Sequence, residues 1–403
     1  MERNTFKIVR TVWFAFLLIG VIGCKSEHDE EVNNDNSSFE GLKEAYTVDR
    51  FKVLNIAPKI NGKVTWSIND SIISENSELD FISPVIKTYP LQLKIENNGT
   101  VQTYNSSIIV KHETGTYSKY ISDVLDYRPA VGQFMNEIPE YDPGNTVGQM
   151  LQKVKSYLVG SNSFPVSLGG YGGYVVVGFD HTIPNLKGND FKILGNAFWA
   201  SEAIENRSGS CEPGIILVAY DKNKNGKPDD NEWYEIAGSE YFKNTTVKNY
   251  NITYFKPNEN KPPVSGNEPW EYDVEYIKWQ DNLGNSGYKT KNSFNANNSY
   301  YPLWITDPSY SFTGTKIKNN FYDQSGNGTY WVGKSYAFGY ADNAPNNDEA
   351  SNIDISWAVD KNGNYVKLPG IDFIKVYTGV NQEAGWLGEV STEVAGAYDL
   401  HLK

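Results

Sequence analysis

Asp221, Asn223, Asn225, Asp229 and Glu232 put oxygen-bearing side chains at positions 1, 3, 5, 9 and 12 of a twelve-residue run, with Gly226 at position 6. That is the spacing of a loop that wraps a calcium ion. A hard cation takes oxygen ligands, glycine permits the sharp turn, and the main-chain carbonyl of Lys227 would serve position 7. Asn at positions 3 and 5 lowers the ligand charge and should weaken affinity. Pro228 stands where an aliphatic residue usually sits, and the flanks read as strands, so no helix pair is expected. A calcium ion here would be structural. The plainer alternative is an Asn/Gly/Asp-rich hairpin that holds no ion.

A second chemistry lies in the aromatic segment 256–345. Trp270, Tyr272, Trp279, Tyr301, Trp304, Tyr330 and Trp331 occur there among many Asn, Gly and Ser residues. Rings beside amides and hydroxyls suit sugars or large planar ligands, because the ring stacks and the polar groups orient. Most such rings would instead fill a core. These seven are taken as the candidate ligand-binding residues, and Pro262, Pro263, Pro269 and Pro302 predict extended loops between them.

Catalysis has little support. The four histidines are His28, His112, His181 and His401, and none has a metal-binding partner at i+4. There is no Gly-x-Ser-x-Gly elbow, and the Gly169–Gly173 run lacks the Lys-Ser/Thr and helix of a phosphate loop. Paired carboxylates could hydrolyse a glycoside, but the sequence selects no pair. The expectation is a protein that is not an enzyme, with no catalytic residues assigned.

The elements that hold these residues follow from composition. The chain of 403 residues carries 49 acidic and 36 basic side chains, a formal charge of −13. Nucleic-acid binding needs clustered Lys and Arg and is excluded as a reading. Aromatics reach 14%, enough to build a substantial core, so wholesale disorder is excluded as well. Abundant Gly, Tyr, Asn and Ser point to an all-β architecture.

At the N-terminus Arg3, Lys7 and Arg10 precede an apolar run from Val12 to Ile22 that is too short to span a membrane comfortably. It ends in Val21-Ile22-Gly23-Cys24, which resembles a bacterial lipobox. Residues 1–23 are therefore expected to be a lipoprotein signal peptide, with Cys24 lipidated and the chain anchored in the outer membrane. Lys25 stands where an inner-membrane retention signal would place Asp. The acidic run Glu27–Glu31 resembles the surface-export signal of Bacteroides-type lipoproteins, so the anchored chain is expected to face the cell exterior. Residues 24–44 read as a flexible acidic tether. Cys211 is then the remaining thiol, expected as a small buried hydrophobe.

Between residues 45 and 112, apolar and polar residues alternate in short runs separated by Asn61-Gly62, Asn69-Asp70 and Asn98-Gly99. This predicts a β-sandwich. Val64–Ile68, Ser77–Phe81 and Tyr89–Ile95 give it a resemblance to the PKD domain, an immunoglobulin-like spacer; Thr88 departs from the Gly usual before that Tyr. Trp66 is expected in the core. Residues 113–144 read as a linker. A helix follows, with Asn145 as cap, Val147, Met150, Leu151, Val154 and Leu158 on one face, and Gly160 at its end. Residues 145–403 are expected to form a larger jelly-roll-like β-sandwich that binds the ligand. In it, Gly188–Leu194 and Gly370–Val376 are read as equivalent strand starts, and Asp360–Asn364 as a hairpin turn.

Several runs in this region carry a wider resemblance: Ser167–Tyr174, Gly178–His181, Glu212–Gly214, Glu232–Tyr241, Gly339–Asn343 and Val380–Glu389. They resemble a family of Bacteroides-type PKD-domain-containing cell-surface lipoproteins. The resemblance implies a role beside outer-membrane uptake systems, including those for corrinoids. The expected function is thus capture of an extracellular glycan or large cofactor, such as a corrinoid, for an outer-membrane transporter. The alternatives are an adhesive or structural surface protein and a glycan-active hydrolase.

Overall fold

The computed structural model describes Phe39, residues 41–200 and residues 206–402. The expected signal peptide, the expected lipidation site Cys24 and most of the expected tether lie outside the described residues. The fold is all-β, with a single α-helix among the described residues. No helix among them is long and apolar enough to cross a membrane.

The period-two pattern of the first module holds. Lys63–Ile68, Thr88–Asn97 and Thr100–Lys111 pair antiparallel in one five-stranded sheet, with Ser71–Ser74 at one edge and Ala45–Asp49, parallel to its neighbour, at the other. Leu91, Leu93 and Ile95 alternate inward and Trp66 is fully buried. Asn98 and Gly99 both have positive φ, the conformation that a tight two-residue hairpin demands. The small pair Leu54–Ile56 and Leu79–Phe81 completes the module.

The larger part is built on an antiparallel six-stranded sheet. Its order is Ala358–Val359, Trp233–Ile236, Gly214–Ala219, Gly370–Thr378, Tyr174–Pro184 and Asp123–Arg128. A four-stranded sheet of Ser286–Asn292, Glu271–Asp281, Val247–Phe255 and Ser309–Lys316 packs against it. Rings join the two layers: Tyr171 meets Tyr250 with centroids 4.9 Å apart, and the Thr315 amide donates to Tyr377 Oη at 2.7 Å. Both modules lie within one compact unit from residue 41 onward.

Three expectations change. Residues 113–144 are more than a linker, because Asp123–Arg128 is the edge strand of the main sheet, in register with Tyr174–Gly178. Val124 and Tyr127 point inward from it and are buried. Gly188–Leu194 and Gly370–Val376 are not equivalent: Phe191–Leu194 lies in a three-stranded sheet between Asn352–Ile353 and Gly396–Asp399, whereas Gly370–Thr378 is central to the six-stranded one. The helix Val147–Leu158 is capped by Thr146, not Asn145, through a capping box with Gln149. It buries Met150, Val154 and Leu158, while Val147 stays exposed. Asp360–Asn364 is the turn expected, closed by the Asp360 amide donating to the Asn364 carbonyl at 2.9 Å.

Candidate functional site

The twelve-residue oxygen-rich loop joins the strands Gly214–Ala219 and Trp233–Ile236, as its flanks predict. Hydrogen bonds tie its candidate side chains into one loop, although the carboxylates of Asp221, Asp229 and Glu232 do not converge as closely as those of the acidic cluster described below. Asp221 accepts from the Asn225 amide on Oδ1 at 3.0 Å and from the Gly226 amide on Oδ2 at 2.8 Å. Asp229 Oδ2 accepts from the side-chain amides of Asn223 and Asn225 at 2.6 and 3.0 Å. Glu232, buried, closes the loop by accepting from the amides of Lys222 and Asp229 at 3.1 and 3.0 Å. Gly226 has φ +75, a conformation that costs other residues a Cβ clash. Oxygen-only donors fit a calcium ion in chemical type, with Asp221, Asn223, Asn225, Asp229 and Glu232 offering side chains and Lys227 its carbonyl. Lys222 reaches Glu78 of the first module at 3.8 Å, so the loop sits where the two modules meet.

The seven predicted aromatics do not form one platform. Tyr301 and Trp304 are core residues, a correction to their place among the candidate ligand-binding rings. Trp304 stacks on Tyr127 and Tyr141, and Tyr301 spends its hydroxyl on the Asp307 carbonyl at 2.6 Å. Trp270, Trp279, Tyr330 and Trp331 are half-buried, and Trp279 and Trp331 pack on the core. Only Tyr272 of the seven is well exposed, at 41%. The reason is local: Trp279 and Tyr254 are partners on paired strands, and a sandwich this rich in rings uses them as filling.

A different site emerges from acids the sequence could not single out. Glu212, Asp342 and Glu393 each place a carboxylate oxygen within 4.8 Å of the others. Glu212 follows Cys211 at the start of the Gly214–Ala219 strand. Asp342 lies in the turn bridged to Gly214, and Glu393 begins the short strand Glu393–Val394. Backbone amides fix them. Asp342 accepts from Asn196 and Ala197 on Oδ1 and from Glu393 on Oδ2. Glu393 Oε1 accepts from the hydroxyls of Ser167 and Ser391, both at 2.9 Å. Glu212 Oε1 accepts from the Ser391 amide at 3.1 Å. Among the described residues none of the three has an ion-pair partner. Glu389 stands nearby and accepts from the Gln133 amide at 2.6 Å.

Three acids without a paired cation, with Glu389 close by and drawn toward Lys289, cannot all stay ionised in a desolvated site. Burial and the neighbouring carboxylates push Glu212 up, burial raises Glu389 to about 8, and burial lifts Asp342 and Glu393 as well. Protonated carboxyls can both donate and accept hydrogen bonds. The triad has the ligand types to hold a divalent cation as well.

These acids line a cavity of about 400 Å³ through Glu212, Glu389 and Glu393. Its rim carries Phe294, 72% exposed, and Trp386, 37% exposed, with ring centroids 6.3 Å apart. Trp386 is held by its Nε1–H donating to the Thr329 carbonyl at 3.3 Å, and Asn292 Nδ2 donates to its carbonyl. Sequence reasoning missed this site as a unit. Glu212, Asp342, Trp386 and Glu389 fall within runs that carried the wider resemblance, and Ser167 begins another. That convergence was the available signal. Cys211 beneath it is buried as expected, and desolvation raises its thiol to about 12.

Neither a protein-family model nor a curated protein matches the chain. Among solved structures, one similar chain is a quinonprotein alcohol dehydrogenase-like protein from Bacteroides thetaiotaomicron. It is 13% identical with a TM-score of 0.17, and the match covers 37% of this chain and 34% of that one. This chain thus spans about a third of the length of that protein. Another is a carbohydrate-binding module of the β-sandwich superfamily, 9% identical with a TM-score of 0.12, covering 84% of this chain and 85% of that one. Neither similarity is close enough to carry an argument about function.

Proposed function

We propose that this chain is a lipid-anchored surface protein that binds a hydroxyl-rich ligand, a short glycan, as an accessory to outer-membrane nutrient uptake. One observation carries the reading: a cavity with carboxyl groups on its floor and two exposed rings on its rim. Sugar hydroxyls need groups that accept and donate, and sugar C–H faces need rings. The volume of about 400 Å³ lies toward the small end of ligand pockets and suits one or two sugar rings. A corrinoid would have to lie across Trp386 and Phe294 rather than enter. The anchor and outward orientation rest on the residues around Cys24. Calcium in the Asp221–Glu232 loop would stiffen the junction between spacer and binding module.

The test is a calorimetric titration of the purified protein with neutral oligosaccharides and with cobalamin, repeated on Trp386→Ala. Saturable sugar binding that weakens in the variant supports the reading. Cobalamin binding in place of sugar would move it to the large-cofactor form. Turnover of the sugar, lost in Glu389→Gln, would replace it with a hydrolase.

A further inference from the structure

A second cavity, of about 580 Å³, opens between the six-stranded sheet and the Val247–Phe255 and Ser309–Lys316 strands of the facing sheet. Lys375 lines it from the middle of the central strand, in register with Val176 on one side and Leu217 on the other. Its neighbours Ile374 and Val376 are buried on the opposite face. Lys375 therefore occupies an inward position where a packed sandwich would hold an apolar residue.

Its surroundings leave it without an anion. The ammonium lies 3.8 Å from the centre of the Tyr174 ring, which covers one side of it. Among the described residues no carboxylate lies within ion-pair distance and no hydrogen bond is made by its Nζ. Asp126 and Asp230 act on it only from farther away, and burial lowers its pKa. Lys248, in the same cavity, shows the contrast: its Nζ lies 3.5 Å from Glu235 and donates to Thr315 Oγ1 at 3.3 Å. Three lysines, Lys248, Lys361 and Lys375, line the cavity against two acids, Glu235 and Asp360. Asp360 is spent on its own turn, accepting from the amides of Asn362 and Asn364. Trp233 and Tyr241 form walls, and Phe242, 63% exposed, stands at the rim.

A desolvated cation beside an open cavity is stable when an anion meets it. We infer that this cavity is a second binding site, for a sugar ring that carries a carboxylate. Lys375 takes the carboxylate, and the rings of Trp233 and Phe242 take the sugar faces, while Tyr241, capped by the Lys248 ammonium, backs Phe242. In a chain of net negative charge the lining of this cavity carries one more lysine than acid, which favours an acidic ligand. The inference is independent of the glycan reading of the carboxylate pocket.

The experiment is calorimetric titration of the full chain with trigalacturonate and, in parallel, with neutral galactotriose. Trigalacturonate is expected to bind more tightly, and to weaken as salt rises from about 0.05 to about 0.5 M. Lys375→Met should weaken it by ~10-fold or more. Phe242→Ala, at an exposed position where folding is not at stake, should weaken it without moving the melting temperature. Trp386→Ala should leave it unchanged, which separates this site from the carboxylate pocket. Equal affinity for the two sugars, no binding of the uronide, or unaltered binding in Phe242→Ala would overturn the assignment. Preference for a sulfated neutral disaccharide over the uronide would overturn it too.

Discussion

The Glu393 main-chain amide donates to Asp342 Oδ2 at 3.0 Å, so the backbone of one acid holds the side chain of another. The hydrogen bond fixes the two carboxyl groups side by side in a buried cluster. Their proximity raises the proton affinity of the cluster, and it follows from chain path rather than from side-chain choice. A ligand that enters the cavity meets Glu393, held in place by this pairing, while Asp342 lies behind it.

This cluster makes stability depend on pH. Carboxyls raised in the fold, Glu389 to about 8 among them, hold protons that the unfolded chain releases near its ordinary carboxylate pKa. The folded state then binds more protons between roughly pH 4.5 and pH 8, so stability falls as pH rises through that window. Each such group contributes a slope of at most ~1.4 kcal/mol per pH unit. Melting temperatures measured from pH 5 to pH 8 should decline, and Glu393→Gln should flatten the decline. A rising profile would contradict the assignment.

Calcium should raise the melting temperature through the Asp221–Glu232 loop. At a hundredfold excess over Kd the gain is about 2.7 kcal/mol. Asp221→Ala will cost some stability without the ion, because it frees the Asn225 and Gly226 amides. The informative quantity is the difference between calcium and chelator, which should vanish in Asp221→Ala and Glu232→Ala. If wild type melts identically in both, the loop is only a turn.

Phe51 locks the first module onto the second. It is buried at 1% exposure, and its ring meets His181 and Tyr117 with centroids 5.1 and 6.1 Å away. Arg50 beside it is paired with Glu113, whose carboxyl that guanidinium holds down to about 2. Phe51→Ala should cost ~3–5 kcal/mol and increase cleavage near the junction in limited proteolysis. A melt and cleavage pattern like wild type would show that the modules do not depend on this contact.

The sequence made some of this legible and hid the rest for physical reasons. Alternation at Leu91, Leu93 and Ile95, the Asn98-Gly99 turn and the helix face at Met150, Val154 and Leu158 are local, so period and turn chemistry reveal them. The loop ligands from Asp221 to Glu232 are also local. Asp123–Arg128 looked like linker because its partner strand lies some fifty residues on, and nothing local reports such pairing. Trp304 and Tyr301 stood among the candidate ligand rings because Asn, Gly and Ser surround them, yet Tyr127 and Tyr141 cover Trp304 from distant sequence. The acids of the pocket come from residues 212, 342, 389 and 393 and meet only in the fold.

Trp386 should matter to binding more than to folding. Its ring is partly exposed and its one side-chain hydrogen bond, to the Thr329 carbonyl, is long. Trp386→Ala should therefore leave the melting temperature within a few degrees of wild type, while Phe294→Ala, at an even more exposed ring, should change it less. A large drop in either would place the ring in the packing instead.

The most direct measurement is calorimetric titration of the full chain with a panel of neutral oligosaccharides, comparing wild type, Trp386→Ala and Glu389→Gln. The account predicts saturable binding of at least one sugar, weakened ~10-fold by loss of the Trp386 ring and weakened again by Glu389→Gln. Silence across the panel from a cooperatively folded protein, or binding indifferent to both substitutions, would contradict it.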